Sequence, residues 1–277
     1  MKKHFFIHWL ISSLIFIVTA CAAPAATRTA TPVPTQEASP TAETLIITPV
    51  ESAFAPGDPT AAPLDDILTT HSVTFDTEDG ATIKGELYGT GRTAVIFSVM
   101  GNCKPGWREF AQLTAAQGHM ALTYQWRGCK ANSVDQALIQ KFLEDTRAAI
   151  TLVREQGAEK IILVGASLGG AASAKLAVES QASGLVVVAS PPSISQWGFE
   201  IESADLNTDI PKLFITAEND NTVPAAATRA LFDLAAEPRE WQTYPGSAHG
   251  TDLFEGQSSA ELQQRILEFI LKIEAGG

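Results

Sequence analysis

The chain has 277 residues, of which 45% are hydrophobic and 18% charged, and its net charge is −12 at pH 7. This acidic balance excludes a general affinity for nucleic acid, because phosphate backbones are bound through an excess of lysine and arginine. Length and composition from about residue 64 onward fit one domain with a sizeable core.

The first twenty residues have the features of a secretion signal, because Lys2 and Lys3 precede an apolar run that ends in Val-Thr-Ala. Together with Cys21, this ending is similar to the lipobox of bacterial lipoproteins. The resemblance implies that Cys21 is lipidated and that the protein is anchored outside the cytoplasm, at the cell surface or on the periplasmic side. An uncleaved single-span anchor, or a soluble secreted protein in which Cys21 is incidental, is the alternative.

Residues 21–63 are rich in alanine, threonine and proline and show neither helical nor strand periodicity. Such a composition cannot bury enough apolar surface to offset the entropy of chain ordering. We therefore predict three parts: a signal peptide over residues 1–20, a disordered tether over 21–63, and one folded domain over 64–277. Loss of two of the 19 basic residues with the signal leaves a mature charge of 17 − 31 = −14.

Strand and helix patterns alternate along the predicted domain. Two alternating runs joined by Glu-Asp-Gly predict a hairpin over HSVTFDTEDGATIKGELYG. Buried strands are predicted at TAVIFSV, at about 119–124, and at KIILVG, GLVVVAS, KLFITA and REWQTY. Helices are predicted at about 107–117, over some twenty residues ending near 156, after the KIILVG strand, at about 224–236 and over ELQQRILEFILKI. This order predicts an α/β fold with a mostly parallel sheet covered on both faces and an N-terminal antiparallel hairpin.

The segment IILVGASLGGAA carries the most informative motif. An apolar strand leads into Gly165-Ala-Ser167-Leu-Gly169 and then into small helix-forming residues. This strand-turn-helix order is typical of a nucleophile elbow, with Ser167 exposed above the sheet edge. A Gly-rich turn with an ordinary capping serine is the alternative.

A serine nucleophile needs a base and an acid, and the chain supplies both in the order serine, acid, histidine. His249 follows the last predicted strand, and no other histidine comes after Ser167. Asp220 lies in the loop after KLFITA and is our choice of acid, with Glu218 as the main alternative and Asp252 as a weaker one. A helix cap at Asp220 and a turn histidine at His249 are the structural alternatives.

Attack of such a serine on a carbonyl group also needs two N–H donors for the developing oxyanion. The residue after the nucleophile, Leu168, supplies one, and the loop after the third strand normally supplies the other. We assign the second donor to the N–H of Met100 in the Ser-Val-Met-Gly-Asn segment.

Besides Cys21 the chain has two cysteines, Cys103 and Cys129, each just past a predicted strand. Outside the cytoplasm such a pair is a disulfide candidate, and consecutive strands usually lie side by side. Two free thiols are the alternative, because the sequence does not give the distance between them.

The segments GASLGG, AENDNTVP, GSAHGTDLF and WRGC together resemble the α/β-hydrolase family, in particular its dienelactone-hydrolase-like and small-esterase branches, over about residues 70–275. The resemblance implies Ser167 as nucleophile, Asp220 as acid, His249 as base, and Leu168 with Met100 as oxyanion donors. The chain departs from the family in the oxyanion loop, where it has Ser-Val instead of a pair such as His-Gly.

These features predict a serine hydrolase, most simply a carboxylesterase that acts on small or exposed acyl esters through an acyl-enzyme. The twenty or so residues at 191–211 are too few for a helical lid, and three tryptophans are either walls of an open site or packing residues: Trp107, Trp126 and Trp197. An amide or peptide hydrolase of the same fold, or a non-catalytic surface-tethered binding protein, is the alternative. No metal or organic cofactor is expected, because the sequence has no ligand cluster and no phosphate-binding glycine loop.

Overall fold

The computed structural model describes residues 70–131 and 135–276. The predicted signal, the predicted tether with Cys21, and the first six residues of the predicted domain lie outside the described residues. Within them the chain forms one large sheet and a short strand pair. The strands are β1 (Thr70–Asp76), β2 (Thr82–Tyr88), β3 (Thr93–Ser98), β4 (Met120–Gln125), β5 (Lys160–Ala166), β6 (Gly184–Val188), β7 (Ser193–Ile194), β8 (Phe199–Glu200), β9 (Lys212–Ala217) and β10 (Arg239–Tyr244).

The large sheet has eight strands in the order β1-β2-β4-β3-β5-β6-β9-β10. β1 pairs antiparallel with β2, and β2 antiparallel with β4, whereas every pair from β4 to β10 is parallel. The parallel strands therefore end at one common edge of the sheet, where open α/β sheets bind ligands. This is the predicted α/β-hydrolase fold with its antiparallel N-terminal hairpin, and the prediction is confirmed.

In the described part of the chain, five α-helices cover the sheet: α1 (Arg108–Ala116), α2 (Gln136–Glu155), α3 (Leu168–Leu176), α4 (Ala225–Leu234) and α5 (Ser259–Ala275). Two cores result, one between the sheet and α2, α3 and α4, the other between the sheet and α1 and α5. Strand β3 contributes side chains to both cores, since Ile96 packs in the first core and Val95 and Phe97 pack in the second. An apolar run without alternation is thus required on a strand covered on both faces.

The segment between β6 and β9 holds two features that the sequence did not predict. β7 pairs with β8 in a two-stranded antiparallel sheet. A short 3-10 turn, Ser195–Trp197, connects the two strands, and another, Ser203–Leu206, follows them. Two-residue strands are too short to leave a periodic pattern in the sequence. Within the described residues this segment contains no α-helix and therefore no helical lid. None of the described helices is long and apolar enough to cross a membrane.

Candidate active site

Ser167 occupies the sharp turn between β5 and α3. Its backbone has φ 53° and ψ −122°, a conformation that residues with a Cβ rarely adopt. The turn is held by two neighbours, because the Ser167 N–H donates to the Val188 carbonyl at 2.8 Å and its carbonyl accepts from Ser190 Oγ at 2.7 Å. These bonds to the next strand and its loop support a strained conformation that would otherwise relax.

Two glycines let the elbow form. A Cβ on Gly165 would lie 2.6 Å from the backbone nitrogen of Gly170, and a Cβ on Gly169 would lie 2.6 Å from the carbonyl carbon of Ser98. Both neighbours are backbone atoms, which cannot move aside as a flexible side chain can. The start of α3 therefore packs backbone against backbone on the ends of β5 and β3, as the motif predicts.

Asp220 and His249 are brought together from two loops that follow neighbouring parallel strands, β9 and β10. His249 Nδ1 lies 2.7 Å from Asp220 Oδ2, and the Asp220 side chain is fully buried whereas that of His249 is 15% exposed. The other carboxylate oxygen of Asp220 accepts from the N–H groups of Thr222 and Val223 at 2.8 and 3.0 Å. Asp220 thus orders its own turn and orients the imidazole. It is not a helix cap, because the N-cap of α4 is Pro224 and no side chain caps that helix.

The two alternative acids lie elsewhere. Glu218 is exposed, and its backbone N–H donates to the Tyr244 carbonyl at 2.9 Å. Asp252 accepts from the ammonium of Lys104 at 2.6 Å. Neither carboxylate contacts the imidazole, so Asp220 is the acid that the fold brings to His249.

Ser167 and His249 lie at adjoining positions on the sheet edge, as their chain neighbours show. A Cβ on Gly250 would lie 3.4 Å from the Cβ of Ala166, so the residue after His249 packs against the residue before Ser167. No hydrogen bond joins Ser167 Oγ to the His249 ring within 70–131 and 135–276. Catalytic hydrogen bonds are often long in unliganded enzymes and tighten when substrate binds.

The two predicted oxyanion donors, Leu168 and Met100, lie on segments that contact each other and the loop after His249. Neither the Leu168 N–H nor the Met100 N–H donates a hydrogen bond to another group in the described part of the chain. The loop that carries Met100 contacts the first residue of α3, since a Cβ on Gly101 would lie 3.4 Å from Leu168 Cδ2. The Met100 side chain is buried, and its sulfur lies 3.8 Å from Thr251 Oγ1 in the loop after His249.

The loop between β3 and α1, residues 99–107, is called the oxyanion loop below. A disulfide and two ion pairs attach it to two other segments of the chain. Cys103 forms a disulfide with Cys129, with the Cα atoms 5.5 Å apart. Lys104 Nζ lies 2.6 Å from Asp252 and 2.8 Å from Glu255, and hydrogen bonding to Asp252 and then to Glu255 raises the pKa of the lysine. Sequence reasoning missed Lys104, because a lone loop lysine carries no pattern that points to its partner Asp252, 148 residues away.

The three tryptophans pack in or against the cores, and Trp107 also lines a cavity. Trp126 is 1% exposed and stacks on Phe142, and Trp107 is 2% exposed and donates from Nε1 to the Ser98 carbonyl at 3.0 Å. Trp197 packs partly buried against the core beneath α2. A cavity of about 410 Å³ is lined by residues of β1, β2, β3 and β4, by the oxyanion loop and by Arg108, and Ser167, Asp220 and His249 are not part of its lining.

Among the described residues no cluster of three or more histidine, cysteine, aspartate or glutamate side chains could hold a metal ion.

Comparisons with known proteins agree with this geometry. A model of the alpha/beta hydrolase family matches residues 100–265, which is more than half of the chain. The chain is similar to the esterase domain of a Rhodothermus marinus protein, at 16% identity and a TM-score of 0.59 over 73% of this chain and 97% of that one. It is similar to a Pyrococcus furiosus esterase, at 14% identity and a TM-score of 0.60 over 76% and 96%.

A third similar structure is an a/b serine hydrolase without lid from Xanthomonas campestris, at 16% identity and a TM-score of 0.57 over 73% of this chain and 94% of that one. At such identities the likeness shows a common fold. No curated protein matches the sequence significantly.

Proposed function

Because this chain belongs to the alpha/beta hydrolase family, we propose that it is a serine hydrolase that cleaves carboxylic esters with small or exposed acyl groups. One observation carries the proposal. The hydrogen-bonded pair Asp220–His249 lies at the same sheet edge as Ser167, whose backbone has a positive φ in the turn between β5 and α3. Within the family we place the chain near the dienelactone-hydrolase-like and small-esterase branches, on the motifs around these three residues.

The chemistry follows from the protonation of the imidazole. Because Asp220 accepts at Nδ1, the ring proton lies on Nδ1 and Nε2 is left as the basic nitrogen. In our mechanism Nε2 of His249 takes the Ser167 proton as Oγ attacks the ester carbonyl. The imidazolium then protonates the leaving alcohol, and Asp220 stabilises the positive charge. A water molecule, activated in the same way, hydrolyses the acyl-enzyme and restores the serine.

The tetrahedral intermediate carries a negative charge on the former carbonyl oxygen. The N–H groups of Leu168 and Met100 are free to receive it, and removal of one such donor in an enzyme costs about 10²- to 10³-fold in kcat. Both are backbone groups held by packed loops, so little reorganisation is needed when the charge develops.

Two features support a small or exposed ester as substrate. The segment between β6 and β9 contains only the β7–β8 pair and short turns within the described residues, so nothing there closes over a long acyl chain. Two of the similar structures are esterases and a third is a serine hydrolase without lid, which favours ester cleavage over amide cleavage.

The experiment is covalent labelling and turnover by the purified protein. A fluorophosphonate is expected to label Ser167, and Ser167→Ala is expected to abolish both labelling and hydrolysis of short acyl esters. Ser203→Ala, an exposed serine on a 3-10 turn, is the matched control and keeps both. A folded protein that is not labelled refutes the proposal, and faster cleavage of aminoacyl amides than of esters assigns the enzyme to the amide class instead.

We also propose that the domain is anchored outside the cytoplasm through lipid on Cys21, with residues 1–20 removed and 21–63 as the tether. The support is the composition of these residues alone. Membrane fractionation tests it: the native protein is expected in the membrane fraction and Cys21→Ala in the soluble extracytoplasmic fraction. An unchanged distribution contradicts the lipid anchor.

A further inference from the structure

Four buried side-chain hydroxyls form a continuous chain beneath the base of the oxyanion loop. Ser173 Oγ donates to Ser98 Oγ at 3.3 Å, and Ser98 Oγ lies 3.0 Å from the Tyr124 hydroxyl. The Tyr124 hydroxyl in turn lies 2.8 Å from Thr146 Oγ1. Each of the four residues is at most 3% exposed, and they come from α3, β3, β4 and α2. The hydroxyl chain therefore runs from the nucleophile helix α3, over the paired residues Ser98 and Tyr124, to α2 on the same face of the sheet.

The direction of donation along the chain can be worked out from its end. Thr146 Oγ1 donates its one proton to the Phe142 carbonyl at 2.8 Å, so it accepts from Tyr124. Tyr124 has then used its own proton and accepts from Ser98, which accepts from Ser173. Burial raises the pKa of Tyr124 further above neutrality, so its hydroxyl stays protonated and available as a donor. A chain in which every hydroxyl has a donor or acceptor role is ordered, and its members reinforce one another.

Ser98 connects this chain to the site. It is the last residue of β3 and stands two residues before Met100. Its carbonyl accepts from Trp107 Nε1 at 3.0 Å, and it packs directly on Gly169 in the nucleophile helix. Ser98 is thus fixed through its hydroxyl and its carbonyl at the point where the oxyanion loop leaves the sheet.

We propose that the Ser98 hydroxyl, held by Tyr124, is a positioning group for the Met100 N–H in the oxyanion hole. The inference rests on the proposed hydrolase function. A backbone N–H cannot rotate independently, so its position depends on how the chain before it is anchored. A displacement of about 1 Å in such a group is enough to lower a rate by about 100-fold. Oxyanion stabilisation should therefore depend on a tyrosine hydroxyl whose hydrogen-bond partners in the described residues are Ser98 and Thr146, not Ser167, Asp220 or His249.

The test removes single hydroxyls from two buried tyrosines. Tyr124→Phe breaks the chain at its centre and changes no other atom. Tyr244→Phe is the matched control, because Tyr244 is 2% exposed and its hydroxyl has no hydrogen-bond partner in the described structure. For each protein we would measure kcat and KM on a short acyl ester, inhibition by a trifluoromethyl ketone, and the midpoint of thermal unfolding. The ketone is informative because its adduct with Ser167 places an oxyanion in the hole.

For Tyr124→Phe we expect kcat to fall by about tenfold or more with KM within about twofold of the native value, and the ketone to bind correspondingly more weakly. Tyr244→Phe is expected to retain all three values. Ser98→Ala, which removes the hydroxyl nearest the loop, is expected to show the same kcat-specific loss and replaces Tyr124→Phe if that variant does not fold.

A merely structural role predicts something different, namely a lower unfolding midpoint with unchanged kcat and ketone affinity at 25 °C, and that result overturns the inference. A loss of the same size in Tyr244→Phe also overturns it. Failure of the proposed function is distinguishable, because the native protein would then show no turnover that depends on Ser167.

Discussion

The Cys103–Cys129 disulfide offers a prediction whose size follows from the structure. The bond closes a loop with a sequence separation of 26 residues, from the oxyanion loop to the turn after β4. In the chain-entropy description, opening a loop of this length removes about 3.5 kcal/mol of stability at 25 °C. For a domain of this size that corresponds to a fall of about 7–14 °C in the unfolding midpoint.

The double substitution Cys103→Ala with Cys129→Ala should therefore lower the free energy of unfolding by about 3.5 kcal/mol in urea titrations. It should also lower kcat, because Met100 stands three residues before Cys103 and its loop loses the covalent attachment on one flank. We expect about a tenfold loss of kcat with little change in KM.

The assay compares native protein, double variant, and native protein treated with dithiothreitol under otherwise identical conditions. Treated native protein is expected to approach the double variant in both stability and kcat. A loss of less than about 1 kcal/mol would refute the loop-entropy reasoning, because a well-formed disulfide over this separation should contribute more. Unchanged kcat in a clearly destabilised variant would refute the role assigned to the bond in the oxyanion loop.

Two further predictions concern charged groups. Burial lowers the pKa of His119, although Glu274, 3.9 Å away, partly opposes this shift. Below pH about 6.5 the unfolded chain therefore binds a proton that the folded chain does not. The free energy of unfolding then falls by up to about 1.4 kcal/mol per pH unit until the pKa of His119 in the folded protein is reached. Urea titrations from pH 8 to 5 should show this fall in the native protein and a shallower one in His119→Leu, and parallel curves would contradict it. Lys104→Met should lower kcat/KM by about threefold at low salt, because it frees the oxyanion loop from Asp252. The difference between variant and native protein should be smaller at 1 M salt, since salt screens the ion pair. A difference that does not depend on salt would contradict an electrostatic cause.

The local sequence was sufficient for the strands of the large sheet, the five α-helices of the described residues and the motif residues, but not for the short β7–β8 pair. REWQTY was predicted as a strand and is observed as β10 over the same six residues, because its pattern needs no distant partner to be recognised. The turn at Ser167 was equally accessible, since the motif lies in one strand-turn-helix unit and Gly165 is required by close backbone approach within it. The carboxyl-edge location of Asp220 and His249 followed from the rule that parallel strands end at a common edge.

What the sequence left open was decided by contacts between distant segments. The choice of Asp220 over Glu218 and Asp252 depended on which carboxylate the fold brings to the His249 ring. Spacing did not decide it, because Glu218 is two residues from Asp220 and Asp252 is three residues from His249. The same holds for the pairing of Cys103 with Cys129, which needed a distance that no spacing supplies.

The hydroxyl chain from Ser173 through Ser98 and Tyr124 to Thr146 had no sequence signature at all, because its members lie on four elements and are held together only by core packing. Periodicity and turn chemistry act over a few residues and therefore determined the order of elements and the motif residues. Side-chain partners separated by tens of residues depend on how those elements pack, and only the tertiary structure decided them.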